Sequence, residues 1–463
     1  MDPHKPGWCW LFPKVLGGVL FLLARTSAGA QDRSVPPLLA PQEPPQHSQG
    51  VPISLDTVLR LAQDRNGQMA IARQRLQEAF AQQDLASKKW LPDLTVGTAY
   101  YRHEGGIQDV DGQFLHSSYG SLFAGLEMRG KLDMREAAYL RIDAERKVWQ
   151  QKGELSKLTS ETLLDAAGTY VDILAAGTSE VVSQESEKKL GELAALALTL
   201  ANIDPGLRVE LVRVNSEIQG QKITTRKLRE GANNAAAKLV YLLGVDPRCD
   251  LVLLDRQLAV FELVNHAQSA QVLVNQALAK GPGVRELEGL LGLIDEARAK
   301  SGGPGRFIPS FEVSMAEGAF GAGPGAQSTW DNRWDLGLHV KWNLTEALTA
   351  RERRRVADAQ GHQSHLSYQD LRAKLTLGVH EAREACLSSQ EQMRLGRQQI
   401  KLAEDVYQLS NTRLTEGIKG RSPSEVLMGV RSLAGARLNY LQAVRDFDKA
   451  QLRLFVLVGG HGS

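Results

Sequence analysis

Apolar residues alternate with polar or small residues without exception along residues 334–344, the stretch WDLGLHVKWNL. Because successive side chains of a strand point to opposite faces of a sheet, this pattern predicts a strand with one apolar and one polar face. Trp334 and Trp342 share the apolar face. At about 3.3 Å per residue and a tilt of roughly 45°, they lie roughly 19 Å apart along a membrane normal, close to the spacing of two interfacial aromatic girdles. The pattern fits either a membrane strand or a half-buried strand of a soluble sandwich.

The two halves of the chain share one sequence plan. Leu-Pro at residues 91–92 recurs as Ile-Pro at residues 308–309, and the motif at residues 142–144 recurs 215 residues later. Residues 239–244 are echoed at residues 454–459 with the same offset. An internal repeat of this kind predicts that both halves fold into the same series of elements.

Each half is predicted to contain a helix, a β-hairpin, a very long helix and a returning helix. No proline interrupts residues 135–201 or residues 351–414. At about 1.5 Å per residue these stretches predict helices on the order of 95 to 100 Å long, too long for a globular core. The predicted regions are a first repeat at 51–244 (strands 94–101 and 121–128, helical hairpin 131–243), an inter-repeat segment at 245–264, a second repeat at 265–459 (strands 311–319 and 334–344, helical hairpin 349–457) and a tail at 460–463.

The connections within the two predicted β-hairpins, residues 102–120 and 321–332, are long and rich in Gly and polar residues. We expect them to be loops, which suit the outer face of an outer-membrane barrel. Four strands cannot close a barrel, and an open sheet edge cannot face lipid. If the strands cross a membrane, several copies of the chain must therefore share one barrel.

Residues 1–30 are typical of an export signal peptide. Two lysines precede the apolar run at residues 15–24, and the small residues at 28–30 offer a cleavage site. Residues 31–50 are rich in Pro and Gln and are predicted to form a flexible lead-in. The sequence therefore predicts an exported protein.

Composition narrows the function further. The net charge is +2 and charges of both signs are spread along the chain, so the sequence shows no basic patch that would bind nucleic acid. No segment after the signal peptide is apolar enough for a transmembrane helix. His362 and His365 lie one helical turn apart without an acidic third ligand at metalloprotease spacing, and no nucleophile elbow occurs. We therefore predict neither an enzyme nor a bound metal or cofactor. Cys249 and Cys386 are too few for a disulfide framework and are predicted to be unpaired.

Several short motifs follow the order of elements that is repeated in the two halves. They are Leu-Ala at 278–279 with Val-Arg-Glu-Leu at 284–287, the X-Pro pairs at 91–92 and 308–309, and Gly417 followed by Glu-Val-Leu at 425–427. In this order they resemble the TolC type of outer-membrane efflux protein over essentially the whole mature chain. The resemblance implies a mainly α fold with a β-barrel portion: a homotrimer whose three chains share a 12-stranded transmembrane β-barrel above a long periplasmic α-helical barrel. It places residues 245–264 in an equatorial collar.

The resemblance also implies a function in the outer membrane, in contact with its lipid and extending into the periplasm. The trimer would be a passive duct of a multi-component efflux or type I secretion system. Substrate would be delivered by an inner-membrane pump or ABC exporter through a periplasmic adaptor, also called a membrane fusion protein. The alternative is an exported structural or adhesive coiled-coil protein without a pore, which would explain the long helices but not the repeated two-faced hairpins.

The helical tips are where the resemblance implies an entrance. Arg208 and Glu210 from the first hairpin, with Arg421 and Glu425 from the second, would form interhelical charge pairs or a ring at a narrow pore. Met428 stands where the family's type member carries a second acidic residue, so we expect a single ring of Glu425. The alternative for these residues is a solvated helix-turn surface.

Polar residues on the sheet face opposite the tryptophans are predicted to line the upper lumen. They are Glu127, Asp335, His339, Lys341 and Asn343. A solvated sheet face would show nearly the same pattern. The opposite face, with Trp334 and Trp342 as its aromatic girdle, would contact lipid.

Overall fold

The computed structural model describes residues 50–255, 257–301, 309–323, 329–342, 344–417 and 422–460. The predicted signal peptide and residues 31–49 of the lead-in lie outside the described residues, as do residues 461–463 of the tail.

The chain is mainly helical. Its helices are α1 (Leu55–Arg65), α2 (Gly67–Ser87), α3 (Met134–Ile203), α4 (Arg208–Leu243), α5 (Ala270–Lys280), α6 (Val284–Ser301), α7 (Leu344–Thr415) and α8 (Pro423–Leu457). The 70 residues of α3 and the 72 residues of α7 correspond to lengths of about 105 Å at 1.5 Å per residue. Within the described part of the chain, no helix combines the length and the apolarity needed to cross a membrane.

The strands form two sheets. They are β1 (Val51–Ile53), β2 (Asp93–Gln108), β3 (Phe114–Leu132), β4 (Leu251–Leu253), β5 (Ser310–Gly323) and β6 (Thr329–Lys341). The larger sheet is antiparallel in the order β2-β3-β5-β6, so β2 and β6 are its edges. The smaller sheet pairs β1 with β4 in parallel.

The first β-hairpin is longer than the sequence predicted. β2 and β3 pair without interruption from Asp93 opposite Arg129 to Gln108 opposite Phe114, so most of the predicted loop 102–120 is strand. The turn is short and contains Gly112 at φ 81°. The loop prediction was wrong because it relied on side-chain composition, whereas backbone hydrogen bonds continue a ladder through Gly and polar residues alike.

The second β-hairpin also extends beyond its predicted ends. β5 reaches Gly323 and β6 begins at Thr329, which leaves only residues 324–328, outside the described residues, from the predicted loop 321–332. A Cβ atom on Gly321 would lie 2.9 Å from the Trp330 ring, so this glycine allows the indole to pack across the paired strands.

The predicted helical hairpins also start at different residues. The first was expected to begin at residue 131, but β3 continues to Leu132, and Asp133 then caps α3 by accepting a hydrogen bond from the Glu136 amide at 3.1 Å. The second was expected at residue 349, yet α7 already begins at Leu344, which had been assigned to the strand 334–344. Leu344 is apolar and fits both the last position of the alternating strand and the first position of a helix, so the sequence pattern could not locate this boundary.

The long helices are the framework against which the others pack. α2 and α4 lie along α3, while α5, α6 and α8 lie along α7, and α8 also packs against α3. Near the middle of α3 the helix is buried on several sides, and Leu163 and Tyr170 belong to a core shared with α1 and the small sheet. The two helical hairpins are therefore joined laterally at this level.

The inter-repeat segment crosses this middle level. The Tyr170 hydroxyl donates a hydrogen bond of 2.6 Å to Asp255, and the Leu258 amide donates to the Thr178 hydroxyl at 3.1 Å. Further along, the fully buried Gln451 accepts from two consecutive amides of the segment at 3.1 and 3.0 Å. Side chains of α3 and α8 thus bind the segment from both hairpins.

Candidate functional site

The predicted lumen residues lie on one face of the larger sheet. The register places Glu127 opposite Ala316, which in turn is opposite Asp335, so both carboxylates lie in one row across three strands. His339 lies on the same face, because it is two residues after Gly337 and four after Asp335 on β6. Asn343 lies outside the described residues.

Ion pairs cover this polar face. Arg129 lies 3.2 Å from Glu127, and the Arg333 Nε donates to Asp335 at 2.6 Å. Lys341 binds Glu312, which is directly opposite His339. Glu127, Asp335, His339 and Lys341 were predicted from the sequence, but their partners were not. Arg129 and Arg333 lie two residues from their carboxylates on the same strands, so alternation alone could have identified them. Glu312 lies on the neighbouring strand, and finding it requires the register.

The other face of the same sheet is apolar and exposed. Leu338 is 67% exposed and has Val313 as its cross-strand neighbour, and Trp334 and Trp342 are exposed on this side as well. The exposed apolar residues of this face include Leu94, Val96, Leu126, Trp330, Trp334, Leu336, Leu338 and Val340. An exposed apolar area of this size calls for a partner or a lipid environment.

Two tryptophans extend the aromatic pattern beyond the predicted pair. Trp330 lies four residues before Trp334 on the same face, and the exposed Trp90 precedes β2 at the end of the sheet where Trp342 follows β6. Trp330 could have been predicted from the sequence, because it lies an even number of residues from Trp334 and therefore on the same face. Trp90 could not, because it lies outside any alternating stretch.

The predicted entrance residues lie where the helical hairpins turn. Glu210, in the first turn of α4, accepts a hydrogen bond from Arg213 at 2.9 Å and another from Ser424 of the second hairpin. Arg208 is exposed and has no ion pair within the described residues. Glu210 thus joins the two tips through Arg213 and Ser424.

The second tip has its own ion pair. Glu425 lies 3.4 Å from Arg413 at the end of α7, while Arg421 lies outside the described residues. Between the tips, Leu200, Val214 and residues of the second hairpin form a buried apolar cluster. The hairpin ends are therefore packed together by apolar contacts, with charged groups at the margin.

A larger ionic contact links the hairpins above the tips. Arg437 of α8 binds Glu185 of α3 at 2.7 Å and lies 3.6 Å from Glu404 of α7. Lys189 lies 3.1 Å from Glu185 and also over the Tyr407 ring, 4.6 Å from its centroid. Burial acts to raise the pKa of Glu185, but the hydrogen bond from Lys189 and the charge of Arg437 lower it overall. The carboxylate is thus held ionised between two cations.

A second ionic contact lies closer to the middle of the hairpins. Asp172 of α3 accepts from Arg445 Nε at 2.5 Å, and Lys449 Nζ lies 2.6 Å from the same carboxylate. Both cations come from α8. Sequence reasoning missed these contacts because they join helices from different halves of the chain.

Beside the inter-repeat segment, Asp448 is fully buried on α8. It accepts a hydrogen bond from the Phe261 amide at 3.2 Å through one oxygen, and its other oxygen has no hydrogen-bond partner in the described part of the chain. Burial raises the pKa of Asp448 to about 7. No group of three His, Cys, Asp or Glu side chains in the described ranges could hold a metal ion, and Cys249 and Cys386 are both free.

Comparisons with known proteins agree with this geometry. Residues 306–460 match the family model for outer membrane efflux protein. The sequence matches no curated protein. Among solved structures, the outer-membrane channel OprN is similar with a TM-score of 0.72 and 19% identity, covering 88% of this chain and 90% of that one. The CmeC outer-membrane channel of Campylobacter jejuni shares this fold with a TM-score of 0.67 and 15% identity, covering 88% of this chain and 85% of that one. The open state of the MtrE outer-membrane channel of Neisseria gonorrhoeae does so with a TM-score of 0.63 and 15% identity, covering 88% of each chain.

Proposed function

We infer that the chain belongs to the outer membrane efflux protein family, whose model matches residues 306–460, and that it is an outer-membrane channel of a multi-component efflux system that extends into the periplasm. The observation that carries this function is the four-stranded sheet, because one face is apolar and exposed while the other is lined by charged residues. Such a division suits a barrel wall between lipid and a water-filled lumen. The family is one of channels rather than enzymes, and the comparisons give no support to a coiled-coil protein without a pore.

The channel is a homotrimer with one 12-stranded barrel. The reason is that β2 and β6 are unpaired sheet edges, and unpaired backbone groups are too costly in lipid. A barrel closes if β6 of each protomer pairs with β2 of the next. The helices support the same assembly, since Leu395, Leu402 and Leu409 form an exposed apolar stripe on α7 at the seven-residue spacing of a coiled-coil contact.

Within this barrel the polar face lines the upper lumen. Glu127, Asp335, His339 and Lys341 would face the permeating solute, and Trp334 and Trp342 would lie at the two lipid interfaces. Threefold symmetry repeats each charge around the pore, so the charged rows act on permeating ions.

The entrance lies at the helical tips. Glu210 and Glu425 are placed where the hairpins meet, and their partners come from the same tips. Arg208 and Arg421 would complete a ring of charges there. Opening requires these half-exposed contacts to break while the apolar packing behind them loosens.

The channel works with a periplasmic adaptor and an inner-membrane pump, which supplies the energy for transport. The chain itself offers a passive path. Efflux and type I secretion use the same kind of duct, so cargo is set by the pump and the adaptor.

The test is to extract the mature protein from the outer-membrane fraction in detergent and to weigh it unheated by native mass spectrometry. A trimer that depends on detergent and conducts ions in a planar lipid bilayer is the expected result. A soluble monomer or dimer released without detergent, or a trimer with no conductance, would contradict the proposed channel.

A further inference from the structure

Exposed cations collect at one end of the larger sheet, where the long helices leave it. Lys88 and Lys89 lie just before β2, and Arg351, Arg354 and Arg355 lie in the second and third turns of α7, just after β6. Because β2 runs antiparallel to β6 across the sheet, the start of β2 and the end of β6 are at the same end. These five residues, called the basic set below, therefore share one level of the molecule.

The basic set lies beside the exposed rings of Trp90 and Trp342. Trp90 directly follows the two lysines, and Trp342 is the first residue after β6. Tryptophan favours the boundary between hydrocarbon and headgroups. The aromatic rings therefore place the basic set at the headgroup level on the periplasmic side.

The basic set is not neutralised by the rest of the chain. None of its members has an ion-pair partner among the residues that the structure describes, although Glu352 lies within the arginine run. The cations below β3 differ, since Lys131 pairs with Glu136 at 2.6 Å and Arg141 with Glu145 at 3.1 Å. The unpaired cations of the basic set thus lie beside the two edge strands.

The arginines are oriented toward the membrane. Arg351, Arg354 and Arg355 have the i, i+3, i+4 spacing of one helix face. Side chains of a helix tilt toward its N-terminus, which for α7 is the membrane end. Arg351 lies only about 10 Å along the axis from the first residue of α7, and long cationic side chains extend toward the interface.

We propose that the basic set binds the phosphate headgroups of anionic phospholipids in the periplasmic leaflet of the outer membrane. The proposal rests on the channel function above. In the trimer, β6 of one protomer meets β2 of the next, so the arginines of one subunit and the lysines of its neighbour converge at each of the three boundaries. A polybasic surface at a membrane attracts anionic lipid with a strength that grows with each cation.

The test uses native mass spectrometry of the detergent-purified trimer, with phosphatidylglycerol or phosphatidylethanolamine added at equal concentration. The wild type is expected to retain phosphatidylglycerol preferentially. Each cation near an anionic surface contributes about fivefold in affinity. The double variant Lys88→Gln/Lys89→Gln and the triple variant Arg351→Gln/Arg354→Gln/Arg355→Gln should each lose at least about fivefold of the retained phosphatidylglycerol.

A matched control removes two cations elsewhere. Arg226 and Lys227 are exposed on α4, far from the sheet, and Arg226→Gln/Lys227→Gln should leave lipid retention unchanged. Equal retention of both lipids, or equal loss in the control, would overturn the proposal. Competition by millimolar inorganic phosphate would also overturn it, because the site would then be a general phosphate site. A trimer without lipid preference contradicts only this proposal, whereas the absence of a trimer contradicts the channel.

Discussion

Replacing Arg437 by Gln should make the channel open more often. Arg437 binds Glu185 and Glu404, so this one side chain connects α8 with both long helices. A glutamine keeps much of the side-chain length but removes the charge. The variant therefore tests whether ionic contacts between the hairpins hold the tips closed.

The magnitude follows from the exposure of the three groups. The Arg437 side chain is 25% exposed, but those of Glu185 and Glu404 are 45% and 40% exposed, so solvent screens both pairs. Each pair is then worth about 0.5 kcal/mol, or about 1 kcal/mol per subunit. If three subunits open together, about 3 kcal/mol shifts the ratio of open to closed channels by roughly 150-fold.

The assay is single-channel recording in planar bilayers at low and high salt. The control is Arg394→Gln, because Arg394 pairs with Glu391 on the same helix at 2.7 Å and with no other residue in the described part of the chain. We expect a higher open probability for Arg437→Gln alone, with a smaller difference at high salt because exposed pairs are screened. An unchanged open probability, or the same increase in the control, would refute the role of this contact.

Four further substitutions test the contacts between the helices. Since the pKa of Asp448 is raised from 3.8 to about 7, the folded state holds a proton that the unfolded state has lost, so stability should fall as pH rises from about 4 to 7. In Asp448→Asn this fall should be absent from denaturation midpoints measured across that range. Tyr170→Phe removes the hydroxyl that donates a 2.6 Å hydrogen bond to the exposed Asp255 and should cost about 0.5–1.5 kcal/mol in thermal unfolding, and an unchanged melting temperature would contradict this. Gly289→Ala should destabilise by about 1–3 kcal/mol because its Cβ would lie 2.5 Å from an indole ring of α3. Gly292→Ala has open space and should stabilise slightly, so equal effects would refute the packing argument.

The parts of the fold that follow from periodicity could be predicted from the sequence. A period of two predicted the four strands of the larger sheet, and the absence of proline predicted the two long helices. The ends of these elements were less predictable. β2 continues to Gln108 and β3 begins at Phe114 because the backbone ladder does not depend on the composition that suggested a loop.

The candidate site divides in the same way. The polar face with Glu127 and Asp335 follows from alternation, which is local. The contacts of Arg437 do not, because they require the packing of α8 against α3 and α7, whose residues lie far apart in the chain. In α3, residues 163, 167, 170, 174, 177 and 181 recur at alternating spacings of four and three, which predicts a coiled-coil seam. Tyr170 is buried as this seam predicts, whereas Val181 is 65% exposed.

The distribution of contacts along the hairpins determines where the channel can move. At the middle level the contacts are buried and apolar or hydrogen-bonded, as around Leu163 and Gln451, and separating them would expose the core and leave backbone amides unpaired. Towards the tips a smaller apolar cluster with Leu200 and Val214 is bordered by half-exposed ion pairs such as that of Glu425 with Arg413, each worth a fraction of a kcal/mol. Because the middle level has the larger apolar core and also buried hydrogen bonds to backbone amides, separating it should cost more than separating the tips, so the hairpins should bend apart below the middle level while the sheet and the inter-repeat segment stay fixed. Opening is therefore expected as a movement of the tips about the middle of α3 and α7, and not as a separation of whole hairpins.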